Sequence, residues 1–134
     1  MHNPEEKILA IDFGTVRIGL AISRYILAEP LDIIPNDDKM FSKIQTICSE
    51  NEVKKIIIGM SENEMALKTK DFAFKLENEI NKSWDYKPSI EFMDETLSSY
   101  YVHQKLKNSK KSKRTADIDH LAAAEFLQNW LDEN

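Results

Sequence analysis

Three acidic residues that are far apart in the sequence, Asp12, Glu95 and Asp119, are candidates for binding a divalent cation. Each is attached to an apolar segment, and a carboxylate carried toward a core must be paired, hydrogen-bonded or bound to a cation. Oxygen ligands favour Mg²⁺ or Mn²⁺ over zinc, and the three histidines lack an HxxH or CxxC partner. Two such ions about 4 Å apart can activate a water and stabilise the leaving oxygen of a phosphodiester. The acidic set therefore predicts hydrolytic phosphoryl transfer.

The first of these acids lies in the segment "ILAIDFGTVRIGLAIS", residues 8–23. Asp12 ends a predicted strand on a face that should be partly covered. Gly14 would leave the backbone open to a phosphate or a metal ion, and the planar fork of Arg17 suits phosphate oxygens. The alternative is an ordinary hairpin in which the aspartate caps the turn and the arginine is exposed.

The other two acids follow the last predicted strand and begin the last predicted helix. Asp94 and Glu95 stand together in "SIEFMDETLSS", where helix-start chemistry explains one carboxylate and leaves the other free to turn toward the first strand. Asp117 lies about 200° around the helix from Asp119, so it is a cap or a peripheral helper. The positions that share a helical face with Asp119 are apolar: Ala122, Ala123, Phe126 and Trp130. Asp119 is therefore predicted to be carried inward with the core.

A basic run, "KLKNSKKSKR" at residues 105–114, contains no acidic residue. The whole chain has a net charge of −5, which argues against a general nucleic-acid binder. The run is therefore either a solvated lysine-rich loop or a local patch that grips phosphates. The residues that would carry such a patch are Lys110, Lys111, Lys113 and Arg114.

The elements that must position these residues alternate between strands and helices. Strands are predicted at about 7–12, 17–23, 30–34, 54–59 and 88–94, and helices at about 38–50, 62–82, 97–107 and 117–132. Three consecutive strands followed by strand and helix in alternation predict an antiparallel meander that continues into parallel crossover units. The fold class is therefore α/β, with helices flanking a mixed sheet, and residues 1–134 form a single domain.

Composition and hydropathy indicate the class of protein and its expected location in the cell. The sequence is 42% hydrophobic and 31% charged, the profile of a soluble globular protein. Its apolar runs are far shorter than the roughly 20 residues of a membrane helix, and its first residues do not resemble a secretion signal. We therefore expect a cytoplasmic protein with no membrane partner. The single cysteine, Cys48, is predicted to be a buried structural thiol.

Four motifs, in order and over nearly the whole chain, resemble the YqgF/RuvX family of RNase H-like proteins: "IDFGTVRIGLA", "IIIGM", "DETLSS" and "IDHLAAAEFLQNWL". Members of that family are described as Holliday junction resolvases and as nucleases that mature the 5′ end of 16S ribosomal RNA. The resemblance implies a five-stranded mixed sheet with flanking helices and a divalent-metal nuclease site. Its acidic positions correspond to Asp12, Glu95 and Asp119, the same three that the spacing selects.

The sequence departs from the family pattern around these motifs. Val16 stands where a lysine is common, Thr96 stands where an arginine usually follows the acidic pair, and "GMSENEMALKTK" lacks the proline and glycines often found after the fourth strand. The three acidic residues are kept, so these departures bear on how the protein contacts its substrate and not on metal binding. We therefore expect Arg17 and the basic run to carry most of the phosphate contact.

The acidic residues predict a metal-dependent nuclease, and the resemblance implies an endonuclease that matures the 5′ end of a 16S ribosomal RNA precursor. Its expected nucleic-acid partner is a structured RNA precursor or branched DNA. If the partner is the RNA precursor, ribosomal particles are expected partners as well. A Holliday junction resolvase is the alternative within the same chemistry, and it would act as a dimer, whereas an RNA-trimming enzyme can be a monomer or a weak homodimer. Outside this chemistry, a non-catalytic nucleic-acid-binding protein is one rival. An actin-like ATP-binding domain is another, because "DFGT" resembles the phosphate loop of that fold, but such proteins clasp ATP between two sheet domains.

Overall fold

The computed structural model describes residues 3–60, 64–94 and 115–134. For residues 64, 94 and 115–120 it describes the backbone only. Five strands and three helices lie in these ranges. The strands are β1 (Lys7–Phe13), β2 (Arg17–Arg24), β3 (Leu27–Pro35), β4 (Val53–Met60) and β5 (Ser89–Asp94). The helices are α1 (Met40–Asn51), α2 (Glu64–Ser83) and α3 (Thr115–Glu133). The helix predicted at 97–107 falls outside the described residues.

The strands form one mixed sheet in the order β3-β2-β1-β4-β5. The strands β1, β2 and β3 are an antiparallel meander, while β4 pairs in parallel with β1 and β5 pairs in parallel with β4. Because β1, β4 and β5 run in the same direction, their carboxyl ends meet at one edge of the sheet. The predicted architecture is confirmed.

Alternation along β1 divides the core into two layers. Leu9 and Ile11 point toward α1 and α2, whereas Ile8 and Ala10 point toward α3. The layer under α3 is closed by small and large apolar side chains from that helix, all of them buried: Ala122, Ala123, Phe126, Leu127 and Trp130. Ala122 and Ala123 lie on the buried face of the helix, as the spacing of its apolar residues predicted.

The last turns of α3 are anchored near the amino ends of the parallel strands. The Trp130 indole Nε1 donates to the Glu91 carboxylate of β5 at 2.6 Å. Nearer the hairpin between β2 and β3, the Gln128 side chain accepts from the Ala28 N–H at 2.8 Å and donates to the Ile26 carbonyl at 2.9 Å. This hairpin lies beyond the amino end of β1, because Ile22 pairs with Leu9. The helix therefore runs antiparallel to β1, with its first turns toward the carboxyl end of that strand.

Glu91 is expected to make a small, pH-dependent contribution to stability. Hydrogen bonding from Trp130 and from the Lys55 ammonium, 3.0 Å away, lowers the pKa of Glu91. A lowered pKa stabilises the fold above the pKa of the unfolded chain, and this stabilisation is lost as the pH falls through the folded-state value. Because the pair is partly exposed, Glu91→Gln should cost less than about 1 kcal/mol at pH 7. The variant should also lose less stability than wild type between pH 7 and pH 3, as measured by urea unfolding.

Glu29→Gln is the control for this measurement, because Glu29 forms a more exposed ion pair with Arg24 at 3.0 Å. It should change stability little at either pH. If Glu91→Gln loses as much stability as wild type on acidification, the proposed contribution of Glu91 is wrong.

The strand β3 differs most from its predicted bounds, since it begins at Leu27 rather than near residue 30. Pro30 lies inside the strand, and it is tolerated there because β3 is an edge strand of the sheet. The register shifts at this point: Leu20 pairs with Asp32 and Ala21 with Pro30, which leaves Leu31 as a bulge.

The prediction for Cys48 is confirmed, because its side chain is buried in α1. Burial raises the pKa of Cys48 to about 12, so the thiol is not a nucleophile at neutral pH. Within the described part of the chain, no helix is both long enough and apolar enough to span a membrane.

Candidate active site

Asp12 is half-buried near the carboxyl end of β1, on the sheet face that α3 covers. Its partner across the antiparallel ladder is Gly19, which adds no side chain to this face of the sheet. Arg17 lies two residues before Gly19 on the same face, a diagonal neighbour of Asp12 at about 7–8 Å between backbones. Both Asp12 and Arg17 make interactions within the folded chain. Asp12 and Arg17 therefore lie on the same face of the sheet, on neighbouring strands.

The loop that joins these two residues is closely packed. A Cβ atom added to Gly14 would overlap the backbone carbonyl oxygen of Arg17. The sequence suggested that this glycine opens the backbone to a ligand, but in the structure it makes room for the turn itself, and its φ is not positive.

Asn36, which sequence reasoning missed, holds the same loop from outside. Its Nδ2 donates to the Gly14 carbonyl and its backbone N–H donates to the Val16 carbonyl, both at 2.9 Å. It is the first residue after β3. The only sequence signal was a polar side chain directly after an apolar strand, which also describes many solvated turns.

Helix α3 brings the backbone of Asp119 toward Asp12. Trp130 packs in the same core layer as Ile8, near the start of β1. The helix rises about 16 Å from Trp130 back to Asp119, and β1 rises about 13 Å from Ile8 to Asp12. Because the two elements are antiparallel, the first turns of α3 lie near the level at which β1 ends. The side chains of Asp117 and Asp119 are outside the described residues.

The remaining predicted site residues are described only in part. The strand β5 ends at Asp94, which pairs with Met60, the last residue of β4, and the side chain of Asp94 is not described. Glu95 lies outside the described residues, as do four of the predicted phosphate-binding residues, Lys110, Lys111, Lys113 and Arg114. Among the side chains that are described, no group of three or more His, Cys, Asp or Glu residues could hold a metal ion.

A groove of about 460 Å³ borders the same loop on the α2 side of the sheet. The Phe13 ring forms part of its wall and is stacked on Phe72 of α2, with 4.7 Å between ring centroids. The other residues that line the groove are Thr15, Asn36, Leu67, Lys68 and Asp71. The loop between β1 and β2 therefore separates two surfaces, the groove on one side and Asp12 on the other.

The sequence is similar to one protein family over nearly its whole length. Residues 6–133 match the family model described as RuvX, Holliday junction resolvase. A protein of Sulfurihydrogenibium sp. (strain YO3AOP1), named as a candidate pre-16S rRNA nuclease, is 36% identical over 134 residues, covering 94% of this chain and 90% of that protein. A protein of Malacoplasma penetrans (strain HF-2) with the same name is 34% identical over 138 residues, covering 98% of this chain and 97% of its own.

Among solved structures, the chain resembles T. thermophilus RuvC in complex with a Holliday junction substrate. The TM-score is 0.55 at 11% sequence identity, over 96% of this chain and 94% of RuvC. At this identity the likeness concerns the fold alone, and it supports the predicted RNase H-like architecture. The family match over residues 6–133, on a sheet of this order, shows that the chain belongs to the RuvX family.

Proposed function

We propose that this protein is a divalent-metal-dependent endonuclease that hydrolyses phosphodiester bonds in nucleic acid, and that its role is the 5′ maturation of 16S ribosomal RNA precursor. The observation that carries the proposal is the position of Asp12, a half-buried carboxylate at the carboxyl end of a central parallel strand. The first turns of α3, which contain Asp117 and Asp119, lie toward the same end. The relatives named as pre-16S rRNA nucleases favour RNA as the substrate.

The proposed metal ligands are Asp12, Glu95 and Asp119, and the donor set suits Mg²⁺ or Mn²⁺ because it offers only oxygen atoms. A ligand role for Asp12 is supported by its half-buried position and by its cross-strand partner Gly19, which adds no side chain to the same face. In β5, Glu91 and Met93 pack on the α3 side, and the same alternation continued by two residues predicts Glu95 on that side. Held by these three carboxylates, a pair of ions would supply activation of the attacking water and stabilisation of the leaving oxygen.

The other residues would bind and orient the substrate. Arg17 would hold the scissile phosphate through its planar fork, beside the carboxylate of Asp12. Lys110, Lys111, Lys113 and Arg114 would contact phosphates farther along the strand. Asp94 and Asp117 would support the ligands from neighbouring positions. An enzyme with this substrate would act in the cytoplasm, on ribosomal precursor particles. A single protomer would be enough to trim the RNA.

Junction cleavage is the second candidate function, because the family model that matches this chain is described as a Holliday junction resolvase. A resolvase must cut two strands symmetrically, so it is expected to act as a dimer. The two functions use the same metal chemistry and differ in substrate and in oligomeric state.

The test is to offer the purified protein a labelled 16S precursor and a labelled four-way junction side by side, with Mg²⁺ or with EDTA, and to measure its mass in solution. Metal-dependent cleavage of the RNA by a monomer supports the proposal. Symmetric junction cleavage by a dimer supports the resolvase function instead. Binding of both substrates without cleavage would favour the non-catalytic reading, and ATP hydrolysis would favour the actin-like one.

A further inference from the structure

The loop at residues 14–16 lies between Asp12 and Arg17 and beyond the end of the β1–β2 ladder. The last pair of that ladder is Phe13 with Ile18. The β2–β3 ladder extends one residue closer to the loop, because its last pair is Arg17 with Pro35. The residue that follows Pro35 is Asn36, and its two hydrogen bonds extend this attachment into the loop itself.

The two hydrogen bonds of Asn36 fix both sides of the turn. The side-chain amide binds the Gly14 carbonyl, two residues after Asp12, and the backbone N–H binds the Val16 carbonyl, one residue before Arg17. The turn has little freedom in between, because Gly14 packs against the Arg17 carbonyl so closely that a Cβ would overlap it. A change in the loop would therefore move the carboxylate and the guanidinium relative to each other.

We propose that Asn36 is a positioning residue for the nuclease site, which sets the relative placement of Asp12 and Arg17 through its hydrogen bonds to the Gly14 and Val16 carbonyls. The proposal rests on the proposed function and deepens it. Asn36 need not touch the substrate or a metal ion. Hydrogen bonds made directly to a metal-ligating side chain are commonly worth 10- to 100-fold in metal affinity or activity, and those of Asn36 act one step away, on the loop that joins Asp12 to Arg17.

The chain offers a matched control in Asn51 of α1. Its Nδ2 also donates to a backbone carbonyl, that of Ile47, at the same 2.9 Å, and it is likewise half-buried. Asn36→Ala and Asn51→Ala each remove one side-chain hydrogen bond of the same kind, so they should lower the melting temperature by similar amounts. Only Asn36→Ala should affect the site.

The experiment compares wild type, Asn36→Ala, Asn36→Gln and Asn51→Ala. The measurements are the single-turnover cleavage rate at saturating Mg²⁺, the affinity for Mn²⁺ by titration calorimetry, and the hydrogen exchange of the Val16 and Arg17 amides. We expect Asn36→Ala to cleave at least about tenfold more slowly, to bind Mn²⁺ several-fold more weakly and to exchange these amides faster. Asn36→Gln, which keeps an amide donor, should recover part of the loss.

A cleavage rate and a Mn²⁺ affinity of Asn36→Ala equal to those of Asn51→Ala would overturn the positioning role while leaving the proposed function intact. If wild type cleaves neither substrate, the proposed function fails, and the Mn²⁺ affinities alone decide the role of Asn36. In that case a weaker affinity in Asn36→Ala than in Asn51→Ala supports the role, and equal or absent binding overturns it.

Discussion

Replacing Asp12 with asparagine is expected to reduce Mg²⁺-dependent cleavage by at least about a thousandfold, because the amide removes the charge that a divalent ion requires of this ligand. Asparagine has nearly the same shape, and Asp12 lies at the end of a strand rather than in the middle of the core. The variant should therefore fold normally. The measurement is the single-turnover rate on labelled precursor RNA, together with the circular dichroism spectrum and the melting temperature.

Asp32→Asn is the matched control, since Asp32 is an exposed carboxylate of the same sheet, on the edge strand β3. It should cleave like wild type. Asp12→Asn should still bind nucleic acid, because the loss of a negative charge near the phosphates does not weaken that contact. Metal-dependent cleavage by Asp12→Asn within about tenfold of the wild-type rate would exclude Asp12 as a metal ligand and remove the main support for the nuclease.

The central strands were predictable because their residues obey simple patterns. The strand β4 contains a short apolar run, as expected where a strand is covered on both faces, and Ile56, Ile57 and Ile58 in this run are fully buried. The period of two in β1 placed Asp12 on the same face as Ile8 and Ala10, and the structure shows that this is the face under α3. The helical period likewise placed Ala122 and Ala123 against the sheet. In each case, local sequence spacing determines which face is buried.

The features that could not be predicted depend on contacts between distant residues. Asn36 bonds to a loop 22 positions earlier in the chain, and nothing in its own neighbourhood specifies that partner. Glu91 is bound by Trp130, 39 positions later, through a pairing that exists only once α3 has docked on the sheet. The start of β3 was missed for a related reason, because the tolerance for Pro30 depends on the strand lying at the edge of the sheet.

The convergence of the three acids stays a prediction. The order and direction of the elements support it, since β1 and β5 are parallel and separated by one strand, and α3 runs back toward their carboxyl ends. Neighbouring strands lie about 4.8 Å apart, so the carboxyl ends of β1 and β5 are about 10 Å apart. An aspartate and a glutamate pointing inward from two such positions can share a pair of ions about 4 Å apart.

Neutralising the basic run is expected to weaken nucleic-acid binding and to flatten its salt dependence. The change is to replace Lys110, Lys111, Lys113 and Arg114 together with glutamine. Each cation that contacts a phosphate releases about 0.7 to 0.9 of a counterion, so the slope of log affinity against log salt should fall by about 3. The measurement is the affinity for catalytically silent substrate, with Ca²⁺ in place of Mg²⁺, between about 50 and 200 mM salt.

A second variant tests whether the effect is specific to residues 110–114 or follows from the loss of any four positive charges. Lys39, Lys43, Lys70 and Lys82 are exposed and lie on or beside α1 and α2, and their replacement with glutamine changes the net charge by the same amount. If the basic run contacts phosphates, only the first variant changes the slope, and its cleavage rate at saturating substrate stays close to that of wild type because the acids are untouched. Equal changes in both variants would mean that overall charge, and not residues 110–114, governs binding. An unchanged slope in the first variant would identify the run as a solvated loop and leave Arg17 as the main predicted phosphate contact.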